Sequence, residues 1–401
     1  MGKPHILMLT PYLPYPPVSG GRMRTYNLLK FLSVDYDITL VCFGRPEEQA
    51  FDIMPLGEFC DYHVVDRQSS PGTLQAALLS LTSSRPIMMR LYTNPGMRQT
   101  LADLLAARPV DVIHVESFYM LQNLPESNAI PVLLSEPAIE YRAWSLFAKI
   151  AKPWYTRPGV VLEAIKLRYI EPKVWAQADA VGAMSAHDAA LISDAALNAQ
   201  VTLAPNAVDV DYFIPGDGPR DPNTAVYMGD YKYFPNVDAV MYFAQQILPL
   251  IIAQRPDFHL TLLGKEPPPE MQALAGEHIT VTGLVDDTRP YLQGSGMFVC
   301  PLRTGSGTRF KLLEALASGC PVISTSIGAE GLNAVDDTHM LLRDTPQAIA
   351  QAVIALMDNP QRAQHIGQTG REWVVNNYAW QRSAQMISET YQQLMGRKKI
   401  G

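Results

Sequence analysis

Cysteine is scarce in this sequence. Cys42, Cys60, Cys300 and Cys320 stand singly in 401 residues, with neither C-x-x-C spacing nor a paired His. That excludes a disulfide scaffold and predicts four reduced, buried thiols of a cytoplasmic protein. Long apolar runs are missing as well, since none reaches the roughly 18 residues of a membrane-spanning helix. The stretch from Met1 to Pro14 is apolar only briefly, is broken by proline and has no small-residue cleavage site after it. It predicts a first strand and not a secretory signal. Positive charge is in deficit, with 32 Lys and Arg against 39 Asp and Glu and a formal charge of −7. A general nucleic-acid binder is thereby excluded, and any anionic ligand must be held by a local cluster of cations. No His, Cys or Asp group has metal-ligand spacing, and no Asp-x-Asp motif sits at a strand's carboxyl end, so metal-free chemistry without a cofactor is expected.

What the sequence does contain is enough apolar residue, 47%, to fill cores, and enough length for two of them. Short, continuously apolar runs alternate with helical stretches from end to end. In the first half, strands are predicted at 6–9, 38–42, 112–115, 132–134, 180–183 and 201–204, with helices such as 22–32 and 97–107 between them. The second half repeats the alternation with strands at 225–228, 260–263, 279–282, 297–300 and 322–324. Runs without polar interruption suit parallel strands covered on both faces, so the fold class is α/β with two Rossmann-like sheets. A Pro-, Asp- and Gly-rich stretch, Pro205–Pro222, marks the boundary. The expected domains are 1–207 and 208–380, facing each other across a central cleft, with a last helix in 381–401 returning to the first domain. Ligands of open α/β sheets bind at the carboxyl ends of the strands.

The densest chemistry lies in Arg303–Ala317, where a Gly-flanked turn, Gly305-Ser306-Gly307, follows a strand and opens a helix. Thr308 is the expected N-cap. Free amides of a first helical turn make a phosphate cradle, worth roughly 0.3–2 kcal/mol per neighbouring charge. That is little for a diphosphate, so Arg309 and Lys311 are expected to add charge-assisted hydrogen bonds of about 1.5–3 kcal/mol each. Glu314, further along the same helix, suits a pair of vicinal hydroxyls such as those of a ribose. The alternative for all of them is an ordinary strand–helix turn with solvated charges.

Gly305–Leu332 resembles the donor-binding segment of the family 4 glycosyltransferases of GT-B fold. Four further stretches agree in order: Tyr12–Gly21, Pro205–Asp209, Gly229–Asp238 and Leu263–Lys265. The resemblance implies a C-terminal domain that holds a nucleotide diphosphate sugar, and a retaining, metal-independent transfer. Glu314 matches the second carboxylate of the family's Glu-x7-Glu motif, which binds the ribose, whereas Ser306 stands in place of the first. Pro137 stands where many members carry a His that faces the donor sugar. Gly20, Gly21, Lys232, Gly264, Ser306, Gly307, Thr308, Arg309 and Glu314 are accordingly expected at the donor, with Arg309, Lys311 and Glu314 catalytic.

On the acceptor side, His114, Glu116 and Glu136 end two predicted strands and are candidates to reach a ligand, the alternative for the first two being a strand-edge pair in solvent. Arg22 and Arg24, beside the glycine pair, read as surface charges. The segment Tyr141–Trp175 holds seven Lys or Arg against two Glu, interleaved with aromatics. Such a mixture fits a peripheral contact with an anionic membrane or a lipid-linked acceptor, or else plain packing with a solvated cationic face. The expected function is hexosyl transfer from a UDP- or GDP-sugar to a hydroxyl acceptor, in glycan, polysaccharide or glycolipid synthesis. The alternatives are a non-catalytic nucleotide-sugar or partner binder and a nucleotide-sugar epimerase.

Overall fold

The protein is described by a computed structural model covering residues 2–45, 48, 53–67, 78–79, 81–125, 129–150, 154–197, 199–305 and 308–398. Its chain divides into two compact units, one of Met1–Asn206 with Ser383–Gly401 and one of Ala207–Arg382.

The first unit is built on strands β1 His5–Thr10, β2 Asp37–Gly44, β3 Asp61–Asp66, β4 Val112–Glu116, β5 Val132–Glu136, β6 Ala180–Ala183 and β7 Val201–Leu203. They pair in parallel, in the order β3-β2-β1-β4-β5-β6-β7. Every residue of β1, β4, β5 and β6 is buried, which is why these runs carry no apolar–polar alternation. Helices α1 Gly20–Leu32, α2 Pro95–Ala107, α3 Glu140–Ile150, α4 Arg157–Trp175 and α5 Ala186–Ala195 lie between the strands. Local chemistry sets where α2 and α5 begin. The Asn94 side chain accepts from the Met97 amide ahead of Pro95, and the Ser185 side chain accepts from the Asp188 amide.

The second unit holds β8 Asp221–Met228, β9 His259–Leu263, β10 Ile279–Gly283, β11 Ser295–Cys300, β12 Val322–Ser324 and β13 Leu341–Leu342, parallel throughout and ordered β10-β9-β8-β11-β12-β13. Its helices include α6 Phe234–Tyr242, α7 Phe310–Ala317, α8 Pro346–Asp358 and α9 Pro360–Asn377. The last two each start with a capping side chain, Thr345 or Asn359, followed by Pro. Leu312, Leu313 and Leu316 of α7 are fully buried against the sheet, each contributing about 1.5–3 kcal/mol of apolar burial. A final helix, α10 Trp380–Lys398, packs within the first unit from Ser383 onward. There Tyr391 is fully buried and edge-on to Tyr36 at 5.3 Å between ring centroids.

Two strands escaped the sequence reading. β3 is an edge strand whose residues Asp61-Tyr62-His63-Val64-Val65-Asp66 stay half-exposed or exposed, so it has no apolar run to announce it. β13 is only two residues long. In both sheets the order of strands reverses once, between β1 and β4 and between β8 and β11. At such a reversal the flanking connections leave in opposite directions and open a crevice at the carboxyl ends of the strands.

Candidate functional site

In the second unit, the reversal between β8 and β11 is where Arg309, Lys311 and Glu314 of the expected donor site lie. Lys311, one residue into α7, turns back across the sheet end. Its Nζ donates to Asn236 Oδ1 at 2.7 Å and to Tyr227 Oη at 3.1 Å, and lies 4.4 Å from the Tyr227 ring centroid. Tyr227 Oη also donates to Asn236 Oδ1, at 2.8 Å, while Asn236 Nδ2 donates to the Asp230 carbonyl at 2.8 Å. Tyr227 comes from the end of β8 and Asn236 from the first turn of α6, so three separate elements fix one ammonium. Burial pushes the Lys311 amine down to about 8, and the neighbouring Arg309 guanidinium pushes the same way. Burial likewise pushes the Glu314 carboxyl up to about 7, opposed by Lys311. No donor to the Glu314 carboxylate is present among the described residues. The recess thus holds a lysine and a glutamate whose charged forms are both disfavoured by burial.

The turn into α7 is shaped by Gly305, whose φ of +128° is open to glycine and strained for other residues. A Cβ there would meet Arg309 Nη2 at 2.8 Å, so the missing side chain leaves room for the guanidinium to fold over the turn. Ser306 and Gly307 lie outside the described residues. Thr308 is not the N-cap expected of it. The helix begins at Phe310, Arg309 is the capping residue, and the Leu312 amide closes the first turn on the Arg309 carbonyl at 3.0 Å. Thr308 is instead buried, and its hydroxyl finds no partner among the described residues. An orphaned hydroxyl beside two cations suits a ligand oxygen.

Gly264, just beyond β9, has a φ of +149°, and a Cβ on it would run into the Gly229 carbonyl. Its role visible in the fold is to let the ends of β8 and β9 close on each other. The Lys232 side chain is exposed and paired with Glu266 at 2.9 Å.

The first unit revises the acceptor-side candidates. His114 and Glu116 end β4 with no exposure at all. The ring nitrogens of His114 hydrogen-bond Tyr391 Oη at 2.6 Å and Ser135 Oγ at 2.8 Å, and burial, with Arg24 nearby, lowers its pKa to about 3. Glu116 faces Arg24 Nε at 3.4 Å. Arg24, expected on the surface, is 1% exposed and also donates to the Pro205 carbonyl at 3.2 Å. His114 and Glu116 are therefore members of a polar core that ties β4, β5, α1 and α10 together, and not groups that reach a ligand. Glu136, at the end of β5, is buried too. Its carboxyl stays well above the usual range because of burial first and then Glu171 and Glu140 beside it. Gly20 and Gly21 open α1 as expected, and Gly21 is hemmed in by the Tyr12 phenol, which a Cβ would strike. Tyr227, Asn236 and Tyr391 were not singled out by the sequence, because an isolated polar residue inside an apolar run carries no pattern.

Among the described residues no group of three or more His, Cys, Asp or Glu is placed to hold a metal ion. Cavities of about 460 Å³ beside His5 and Arg108, and about 510 Å³ beside Arg220 and Arg371, lie toward the amino ends of the strands, away from Lys311.

Residues 222–359 match the family model described as "Glycosyl transferases group 1". The phosphatidyl-myo-inositol mannosyltransferase of Mycolicibacterium smegmatis is 26% identical over 213 residues, 50% of this chain and 54% of that protein. The chain thus aligns with about half the length of that relative. An uncharacterized 44.6 kDa protein in the cps region of Klebsiella pneumoniae is 20% identical over 93% of this chain and 96% of its own. Among solved structures, sucrose-phosphate synthase from Thermosynechococcus elongatus superposes with a TM-score of 0.72 at 17% identity, covering 98% of this chain and 100% of that one. Anabaena HepE in complex with UDP and glucose does so with a TM-score of 0.65 at 12% identity, covering 96% and 99%. Residues 222–359 thus resemble a glycosyltransferase group 1 segment, the low-identity relatives include mannosyltransferases, and the two-sheet fold is that of the GT-B structures on which the chain superposes.

Proposed function

We propose that the protein transfers a hexosyl group from a nucleotide diphosphate sugar to a hydroxyl acceptor, with retention of anomeric configuration. The observation that carries the reading is the convergence of Lys311, Arg309 and the orphaned Thr308 hydroxyl at the strand reversal of the second unit, with Glu314 one turn deeper in α7. Departure of the diphosphate builds negative charge, and preorganised cations aimed at that charge lower the barrier most directly. Lys311 and Arg309 would meet the phosphate oxygens, and Glu314 would accept from two ribose hydroxyls and so set the position of the sugar. Two cations and the helix start supply the positive charge locally, which favours a reaction without an obligatory metal. The departing phosphate oxygen itself takes the acceptor proton, so no separate base is required.

Relatives named as GDP-mannose-dependent mannosyltransferases and the UDP complex of HepE favour GDP or UDP as the nucleotide. Relatives that act on phosphatidylinositol and lipopolysaccharide core favour a glycolipid or polysaccharide acceptor. Four buried, unpaired thiols fit the reducing cytoplasm. A second reading, binding of a nucleotide sugar without transfer, is favoured by Ser306 and Pro137 at two positions that usually contact the sugar. Calorimetry with UDP, GDP and their common sugars, followed by assay of nucleotide release, separates the two. One nucleotide series should bind and lose that binding in Glu314→Ala. Silence across the panel would refute the donor site, and binding without nucleotide release on any offered acceptor would favour the second reading.

A further inference from the structure

Helices α3 and α4 pack on each other in the first unit, and α4 is apolar on both of its sides. Its inner side chains, among them Leu167, Val174 and Trp175, are part of the core. On its outer side Val161, Ile165 and Tyr169 are 45%, 61% and 67% exposed. Residues four apart lie one above another on a helix, so the three form a stripe and not a scatter of single contacts with water. Phe147 of α3 and Tyr155, just ahead of α4, are also exposed.

The charges of α4 are sorted in the opposite sense. Both of its acids point inward. Glu163 accepts from the Ile87 amide at 2.7 Å and from Lys166 at 2.8 Å, and Glu171 accepts from the Glu140 and Tyr141 amides at 2.8 and 2.7 Å. Arg157, Arg168 and Lys173 are exposed along the edges of the stripe, with Lys173 Nζ 3.6 Å from the Tyr169 ring centroid. In a chain of net negative charge, α4 therefore presents apolar side chains flanked by cations, with no exposed acid.

We propose that this face seats on an anionic lipid bilayer, with Val161, Ile165 and Tyr169 entering the acyl boundary and the flanking cations meeting the headgroups. A bilayer interface offers apolar depth and negative charge together. A second copy of the chain would bring the same cations face to face across an isologous contact. A nucleic acid would offer stacking to Tyr169 and nothing to Val161 or Ile165. The inference does not depend on the transferase reading.

The test sediments the full chain with phosphatidylcholine vesicles containing phosphatidylglycerol and with phosphatidylcholine alone. Anionic vesicles should carry the protein down at low salt, and raising the salt to about 1 M should weaken binding by roughly tenfold or more. Neutral vesicles should leave it in solution. Ile165→Ser with Tyr169→Ser, at exposed positions that leave the melting temperature unchanged, should weaken binding by roughly tenfold. Arg168→Glu with Lys173→Glu should abolish it. Nucleotide binding, measured on the same variants, should not change, so failure here and failure of the donor site are separable. Three results would overturn the proposal. The wild type remains in solution with anionic vesicles. The two serine substitutions leave sedimentation unaltered, which assigns the attachment to surface charge alone and leaves the stripe outside the bilayer. Or sedimentation velocity reveals a dimer that Ile165→Ser dissolves, which assigns the stripe to a second copy.

Discussion

Lys311→Met separates a lysine kept for a ligand from one kept for the fold. The substitution preserves the aliphatic stem and removes the ammonium. Neither hydrogen-bond partner is orphaned, because Tyr227 Oη continues to donate to Asn236 Oδ1 at 2.8 Å. The fall of the Lys311 amine from 10.5 to about 8 means that the fold disfavours the charged form by roughly 3 kcal/mol relative to water. Removing the charge should therefore leave the ligand-free protein as stable as before, or more stable by about 1–3 kcal/mol at neutral pH. Loss of a charge-assisted bond to a diphosphate should cost about 1.5–3 kcal/mol of binding, which is roughly a 10- to 150-fold rise in Kd. Urea denaturation without ligand measures the first effect, and titration calorimetry with the preferred nucleotide diphosphate measures the second. A variant destabilised by more than about 2 kcal/mol with unchanged nucleotide affinity would refute the argument, because Lys311 would then be a structural cation.

Three further outcomes are expected. Donor affinity should peak in a narrow window. It should weaken as pH falls below about 7, because Glu314 is then protonated and accepts poorly, and weaken as pH rises above about 8, because Lys311 is then neutral. Calorimetry across pH reads both limbs, and Lys311→Met should remove only the alkaline one. Gly264→Ala forces a side chain into a φ of +149° and against the Gly229 carbonyl, so it should destabilise the protein by about 3 kcal/mol or more. An unchanged urea midpoint would contradict the close approach of β8 and β9. Arg24→Met leaves Glu116 buried without its partner and should cost about 3–5 kcal/mol. Burial already raises the Glu116 pKa, and without Arg24 it should rise further, so the loss should grow as pH rises above the usual carboxylate range. Adding Glu116→Gln should recover part of the stability and flatten that pH dependence.

The architecture was legible in the sequence because parallel strands covered on both faces must be continuously apolar. The runs at 6–9, 112–115, 225–228 and 297–300 all fall within observed strands. Edge strands carry no such constraint, which is why β3 went unread. The loop–helix segment from Gly305 to Glu314 was legible for a different reason. A glycine turn, two cations and a carboxylate at the start of a helix form a local pattern that needs no knowledge of distant residues.

Pairing across the chain was not legible. His114 and Glu116 have the composition of a reactive pair, and only their packing against Arg24, Ser135 and Tyr391 turns them into a buried polar core. Lys232 lies nearer in sequence to the β8 end than Asn236 does. It turns outward to Glu266, while Asn236 turns inward to Lys311. The order of residues along the chain by itself determined the α/β class, the two sheets and the chemistry available at the start of α7. Tertiary structure decided which polar side chains are exposed to a ligand and which are consumed inside the fold, because burial and hydrogen-bond partners arise between residues that lie tens to hundreds of positions apart.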